Sequence, residues 1–183
     1  MGKFLKAYKI TMSHEGGYIN DPLDAGGETY KGIARRYHPE WQGWSVIDAC
    51  SDKRKIPHKL LQKSVYSFYK KKYWDVYRAD YLNQKLANEL FDTGVNMGTH
   101  RASKFLQMSL NYLNRDNLLF TNLIVDGKIS TKTMLALDKI KKSDLDCLLK
   151  ILNILQGKHY LSYIDKRSSQ KRYVRGWMKR VKL

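Results

Sequence analysis

Residues 14–33 read HEGGYINDPLDAGGETYKGI, and this stretch decides the fold. It opens on a glutamate followed by two glycines, and glycine readily takes the backbone conformation that ends a helix. Short extended runs then flank a turn-rich centre at residues 21–27. Residues 18–33 are therefore predicted to form a short, irregular β-hairpin lobe directly after a helix end.

Large side chains recur before this stretch at the spacing of a helix. Phe4, Tyr8, Met12 and Glu15 follow at intervals of four, four and three residues, which places them on one face. If that face is buried, Glu15 is desolvated, and desolvation raises the pKa of a carboxyl group. A protonated carboxylic acid can give its proton to a glycosidic oxygen. The alternative is a Glu15 that faces solvent at the helix end, where the helix dipole disfavours its charge.

Two polar residues follow Glu15 in the turn-rich segment. Asp24 lies nine positions and Thr29 fourteen positions further along the chain. Glycoside hydrolysis usually needs a second group that activates water or attacks the sugar, so both are candidate catalytic partners. An aspartate in such a turn also forms local hydrogen bonds to its own backbone, and that structural role for Asp24 stays open.

The rest of the chain has a helical pattern almost throughout. Five further helices are predicted, at about residues 57–79, 83–95, 101–113, 130–137 and 144–165. Pro57 suits a first helical position, and Ser130 and Asp144 suit N-caps. The predicted class is therefore mainly α, a helical bundle with a small irregular β-hairpin lobe.

The order of these motifs resembles that of one enzyme family, glycoside hydrolase family 108. The resemblance rests on residues 14–33, on 90–98 (LFDTGVNMG), on 102–107 (ASKFLQ), on 126–133 (DGKISTKT) and on 176–181 (GWMKRV). Members of the family are N-acetylmuramidases of phage and prophage endolysins, often labelled secretion activator proteins. The resemblance implies a lysozyme-like catalytic region at residues 1–96 and a helical, predicted peptidoglycan-binding region at residues 97–183. The two regions are expected to pack as one compact unit.

The resemblance also assigns roles to residues. It implies that Glu15 is the essential acid, and an analogy with phage-type lysozymes supports Asp24 and Thr29 as residues that position water. Aromatic rings pack on the apolar faces of sugars, so Tyr18 and Tyr30 are predicted to form the wall of the cleft. Tyr30 and Lys31 depart from the usual family pattern at this wall.

Asn96 is a further candidate for binding substrate. Its amide stands in an otherwise apolar helical segment and suits an N-acetyl group. A structural amide whose hydrogen bonds are satisfied within the protein is an equal alternative.

The formal net charge is +17, which directs a protein toward polyanions. The predicted partners are peptidoglycan glycan strands and the anionic cell-wall surface. Tyr173 and Trp177 among the basic residues of the C-terminal tail would also suit nucleic acid. However, no nucleic-acid-binding motif accompanies them, so no specific nucleic acid is predicted.

No cofactor and no metal site are predicted, because the histidines and cysteines lack ligand spacing. Cys50 and Cys147 are expected to be two small buried residues, with a disulfide as the alternative. No apolar run is long enough to span a membrane. The first residues do not resemble a secretory signal. We therefore expect a monomer that is made in the cytoplasm and acts on the wall after export or lysis.

These features predict a lysozyme-like N-acetylmuramidase that cleaves the bond between N-acetylmuramic acid and N-acetylglucosamine through Glu15. A lytic transglycosylase needs only Glu15 and leaves an anhydro-muramyl end. A non-enzymatic wall-binding or secretion-assisting protein would use the helical C-terminal region and its charge. The release of reducing ends from peptidoglycan separates these hypotheses.

Overall fold

The structure is a computed structural model that describes residues 1–12, 17–20 and 27–182. Eight α-helices lie in these ranges. They are α1 (Phe4–Thr11), α2 (Gly43–Asp48), α3 (His58–Tyr69), α4 (Gln84–Met97), α5 (Thr99–Tyr112), α6 (Thr131–Lys139), α7 (Leu145–Lys166) and α8 (Val174–Met178). Three strands, β1 (Tyr18–Asn20), β2 (Glu28–Tyr30) and β3 (Ile33–Ala34), form an antiparallel sheet in the order β1-β2-β3. The predicted mainly α class with a small β lobe is therefore confirmed.

Helix α1 buries the face that its spacing predicts. Phe4, Tyr8 and Met12 are all buried. The ring of Phe4 meets Trp74 and Phe91 edge-on, at centroid distances of 5.7 and 5.8 Å. The helix thus packs against α4 and anchors the segment that follows it. The predicted continuation of this stripe to Glu15 lies outside the described residues.

The predicted long helix from Pro57 to about residue 79 is wrong in its second half. The α-helix begins at His58 and ends at Tyr69, and a π-helical turn, Lys70–Trp74, continues it. An α-helix would place the next buried side chain four residues after Tyr69, at Tyr73. A π turn inserts one extra residue, so the buried side chain is that of Trp74 instead. Trp74 is completely buried, and this burial is the physical reason for the change of helix type.

The predicted helices at residues 83–95, 101–113 and 130–137 correspond to α4, α5 and α6. Ser130 caps α6, because its hydroxyl accepts a hydrogen bond from the Thr133 backbone N–H at 3.3 Å. Asp144 precedes α7 but makes no capping hydrogen bond. Its carboxylate pairs with Arg115 at 3.2 Å instead, so the predicted cap is wrong.

The two cysteines are free thiols, so the alternative of a disulfide does not hold. Cys50 is partly buried, whereas Cys147 is exposed on α7, so the expectation of two buried residues is wrong for Cys147. Within the described ranges, no helix combines the length and the apolar character needed to cross a membrane.

Candidate active site

Within the motif at residues 14–33, the structure describes residues 17–20 and 27–33. Glu15 and Asp24, the two predicted catalytic carboxyl groups, lie outside the described residues. The structure describes the parts of the chain that precede and follow them in sequence: the end of α1, Gly17 and the three strands. The Lys31 backbone N–H donates to the Gly17 carbonyl at 3.0 Å, which ties the start of the lobe to the turn between β2 and β3.

Thr29 lies in the middle strand of the sheet, opposite Ile19. Successive side chains of a strand point to opposite faces, so Thr29 shares its face with the half-exposed Ile19 and not with its neighbour Tyr30. The Thr29 hydroxyl donates to the Gly27 carbonyl at 3.2 Å. The role of Thr29 in positioning water stays a prediction.

Tyr30 occupies the core and does not line an open wall. Its side chain is completely buried, as is that of Ile33, its partner on β3. The Tyr30 hydroxyl lies 2.8 Å from Nδ1 of His58, and its ring stacks on Trp41 at 5.8 Å. Because no ring face is open to solvent, this position does not support the predicted sugar contact. The residue faces inward because the sheet packs this side against α3.

Tyr18 is partly buried, and its hydroxyl is already engaged. It donates to Oε1 of Glu28 at 2.9 Å. Burial, and then the hydrogen bond to Glu28, raise the pKa of Tyr18, so it remains a neutral phenol around neutral pH. A neutral, partly exposed ring is compatible with the predicted contact to sugar, and that role stays a prediction.

Asn96 is exposed near the end of α4. Its side-chain N–H donates to the Asp92 carbonyl one turn earlier, at 2.7 Å. Among the described residues no donor faces the Asn96 side-chain oxygen, so this oxygen is open to a ligand N–H. Asn96 lines a groove between α4, α7 and the C-terminal residues, and does not line the β lobe.

A charged network that the sequence analysis missed fixes the β lobe to α2. Arg35 Nε lies 2.8 Å from Oε2 of Glu28, and a terminal nitrogen of Arg35 lies 2.5 Å from Asp48. The guanidinium also lies over the Trp44 ring, 4.5 Å from its centroid. The contact with Glu28 is an ion pair without the alignment of a hydrogen bond. Glu28 and Arg35 flank the paired residues of β2 and β3, so the hairpin register could have revealed their pairing.

His58 is the second residue that the sequence analysis missed. A Cβ placed on Gly17 would lie 3.7 Å from Cε1 of His58, so the ring stands beside the backbone of the E-G-G-Y motif. The Tyr30 hydroxyl and the parallel Tyr30 ring, 5.9 Å away, hold the imidazole in place. His58 itself is exposed, and the described residue of the motif that it approaches is Gly17. No local pattern predicts this proximity, because it depends on how α3 packs against the sheet.

Among the described residues, no group of three or more histidine, cysteine, aspartate or glutamate side chains is arranged to hold a metal ion.

Two family matches together cover nearly the whole chain. Residues 8–98 match Glycosyl hydrolase 108, and residues 101–182 match the Predicted Peptidoglycan domain. The chain belongs to glycosyl hydrolase family 108. It is thus a glycoside hydrolase, and the second match identifies peptidoglycan as its substrate. The family 108 enzyme is accordingly a peptidoglycan hydrolase.

The solved structure of Brucella abortus SagA is similar to the family 108 enzyme in fold. The TM-score is 0.64 at 24% sequence identity, over 97% of this chain and 88% of SagA. At this level of identity the likeness shows a shared fold, and it confirms the predicted lysozyme-like architecture. A comparison with curated protein sequences found no match.

Proposed function

We propose that the enzyme is an N-acetylmuramidase that cleaves the bond between N-acetylmuramic acid and N-acetylglucosamine, with Glu15 as the general acid. The observation that carries this proposal is the match of residues 8–98 to a glycosyl hydrolase family, because this range contains the E-G-G-Y motif. The buried side chains of Tyr8 and Met12 add support, since they belong to the stripe that leads to Glu15.

In the proposed mechanism, Glu15 protonates the leaving glycosidic oxygen. A water molecule oriented by Asp24 and Thr29 attacks the sugar at its anomeric carbon. A general acid contributes roughly 10²–10⁴-fold to the rate, so Glu15→Gln is expected to lower turnover by at least about 100-fold. Tyr18 supplies a ring against the sugar, while Tyr30 supports the lobe from within.

The test is the release of reducing ends from purified peptidoglycan by the wild type and by Glu15→Gln. The matched control is Glu40→Gln, because the Glu40 side chain is 74% exposed and its replacement removes the same charge. Full activity in Glu15→Gln would contradict the assignment. Mass spectrometry of the products separates hydrolysis from lytic transglycosylation, which leaves anhydro-muramyl ends. Binding to peptidoglycan without any cleavage would support a wall-binding protein instead.

We further propose that residues 1–96 carry catalysis and that residues 97–183 hold the wall. Helix α4 of the first region contacts α5 and α7 of the second, which supports a single packed unit. The charge of +17 supports attraction to the anionic wall surface. The expected route remains synthesis in the cytoplasm followed by export or lysis, with the enzyme acting as a monomer and without a specific nucleic acid.

A further inference from the structure

A groove of about 1030 Å³ runs between α4, α7 and residues 172–182. One face of α4 forms its floor, with side chains that include Asn88, Glu89 and Asp92. Thr11 of α1 also lines it, and Asn96 lies on the same face of α4. The groove therefore joins the helix before the E-G-G-Y motif to the C-terminal region.

The floor of this groove is a buried polar cluster. Glu89 is only 8% exposed, and its carboxylate accepts a hydrogen bond from the Thr93 hydroxyl at 3.3 Å. Gln156 lies behind it and donates to the same hydroxyl at 3.3 Å. Glu89 therefore gives the groove a polar floor, and hydrogen bonds through Thr93 and Gln156 tie this floor to α7.

Aromatic rings form one wall of the groove. Trp177 stacks between Tyr160 and Tyr173, with ring centroids 5.1 and 5.9 Å apart. Tyr173 is 48% exposed, so the stack reaches the surface. Gly176 lies on the same wall, and a Cβ added there would meet nothing within 4 Å. Tyr173, the exposed ring of this stack, can therefore contact the apolar face of a sugar ring.

The rim of the groove carries an excess of positive charge. Lys85 pairs with Asp146 at 3.5 Å, and Arg180 pairs with Asp92 at 2.6 Å. Four other cations on the rim form no ion pair within the described part of the chain: Lys150, Arg172, Lys179 and Lys182. Such a rim favours a ligand that carries several negative charges.

We infer that this groove binds peptidoglycan through its stem peptide, with a sugar ring against Tyr173 and the peptide carboxylates on the unpaired cations of the rim. The inference rests on the proposed function, because it places an additional substrate contact on the same glycan. Thr11 of α1 lines the groove, and Glu15 follows Thr11 by four positions in the chain.

The test measures binding of a soluble GlcNAc–MurNAc–tetrapeptide by calorimetry. The two sugars of this fragment are joined from C1 of GlcNAc to C4 of MurNAc, whereas an N-acetylmuramidase cleaves at C1 of MurNAc, so the fragment is not a substrate. The groove variant is K150Q/R172Q/K179Q, and its control is K132Q/K139Q/K142Q, which removes three exposed charges from α6 and the segment after it. A second variant, Gly176→Leu, adds a bulky side chain to the groove wall at a position where an added Cβ meets no atom within 4 Å. We expect both groove variants to weaken binding at least tenfold and the control to stay within twofold of the wild type.

The same disaccharide without its peptide is expected to bind at least tenfold more weakly than the complete fragment. Equal affinities for the two ligands would overturn the role of the stem peptide. Equal binding by the groove triple variant and the control triple variant would overturn the site. If the groove variant lost binding only to an oligonucleotide, or only to phosphate polymers, the groove would be assigned to that ligand and the inference would be overturned. Because fragment binding needs no turnover, a fully active Glu15→Gln would refute the proposed function while leaving this measurement readable.

Discussion

The buried carboxyl group of Glu89 makes the stability of the fold depend on pH. Burial raises its pKa from 4.5 to about 6, and the neighbouring carboxylate of Asp92 acts in the same direction. Hydrogen bonds from Asn153 and Thr93 oppose this shift without cancelling it. The fold therefore favours the protonated acid, and the resulting stability is fully present below pH 4.5. It is lost as the pH rises through about 6.

The size of this effect follows from the two pKa values. A difference between 4.5 and about 6 corresponds to about 2 kcal/mol, at about 1.4 kcal/mol for each pH unit. Glu89→Gln keeps the shape and the hydrogen-bonding capacity of the neutral acid but cannot ionise. Relative to this variant, the wild type should therefore lose about 2 kcal/mol of unfolding free energy between pH 4.5 and pH 7.5.

Urea unfolding at half-unit pH intervals from 4.0 to 8.0, followed by tryptophan fluorescence, measures this difference directly. Asp138→Asn is the control, because Asp138 is exposed on α6 and its replacement also removes one carboxylate. The difference between the wild type and Asp138→Asn should be nearly flat over this range. A difference between the wild type and Glu89→Gln that stayed constant within about 0.5 kcal/mol would refute the reasoning.

Two further substitutions test packing and capping. Gly94→Ala would place a Cβ 2.4 Å from the hydroxyl of the buried Tyr77, so we expect a loss of about 1–3 kcal/mol in denaturant unfolding. Adding Tyr77→Phe to Gly94→Ala should recover part of that loss. If the unfolding free energies of the two single variants simply added up in the double variant, the clash would be contradicted. Ser130→Ala removes the cap of α6 and should cost about 0.5–2 kcal/mol, whereas the exposed Ser143→Ala should cost almost nothing. Equal stabilities of these two serine variants would contradict the capping role.

The sequence predicts the positions of some residues of the candidate site and not of others. The buried stripe of α1 and the hairpin at residues 18–33 follow from local spacing and turn residues, and both are confirmed. The inward position of Tyr30 was not predictable in the same way. The strand pattern says only that Tyr30 and Thr29 face opposite sides, and the packing of α3 decides which side is closed.

His58 and Glu89 show the same limit more clearly. His58 stands 41 positions after Gly17, and only the approach of α3 to the sheet brings it beside the motif. Glu89 lies on α4 among charged and polar residues, so its sequence context indicates a solvated side chain. Its burial results from helix α7 and the C-terminal residues, which close over that face of α4.

The helical class, the β lobe, the family and the candidate acid Glu15 can all be predicted from the sequence. These depend on periodicity, on turn residues and on an ordered motif, all of which act over short stretches of chain. The ion pair of Arg35 with Asp48, the closed position of Tyr30 and the groove over Glu89 could not be predicted in this way. Each of these joins residues that are distant in the chain, and burial depends on the complete set of neighbours that packing brings together.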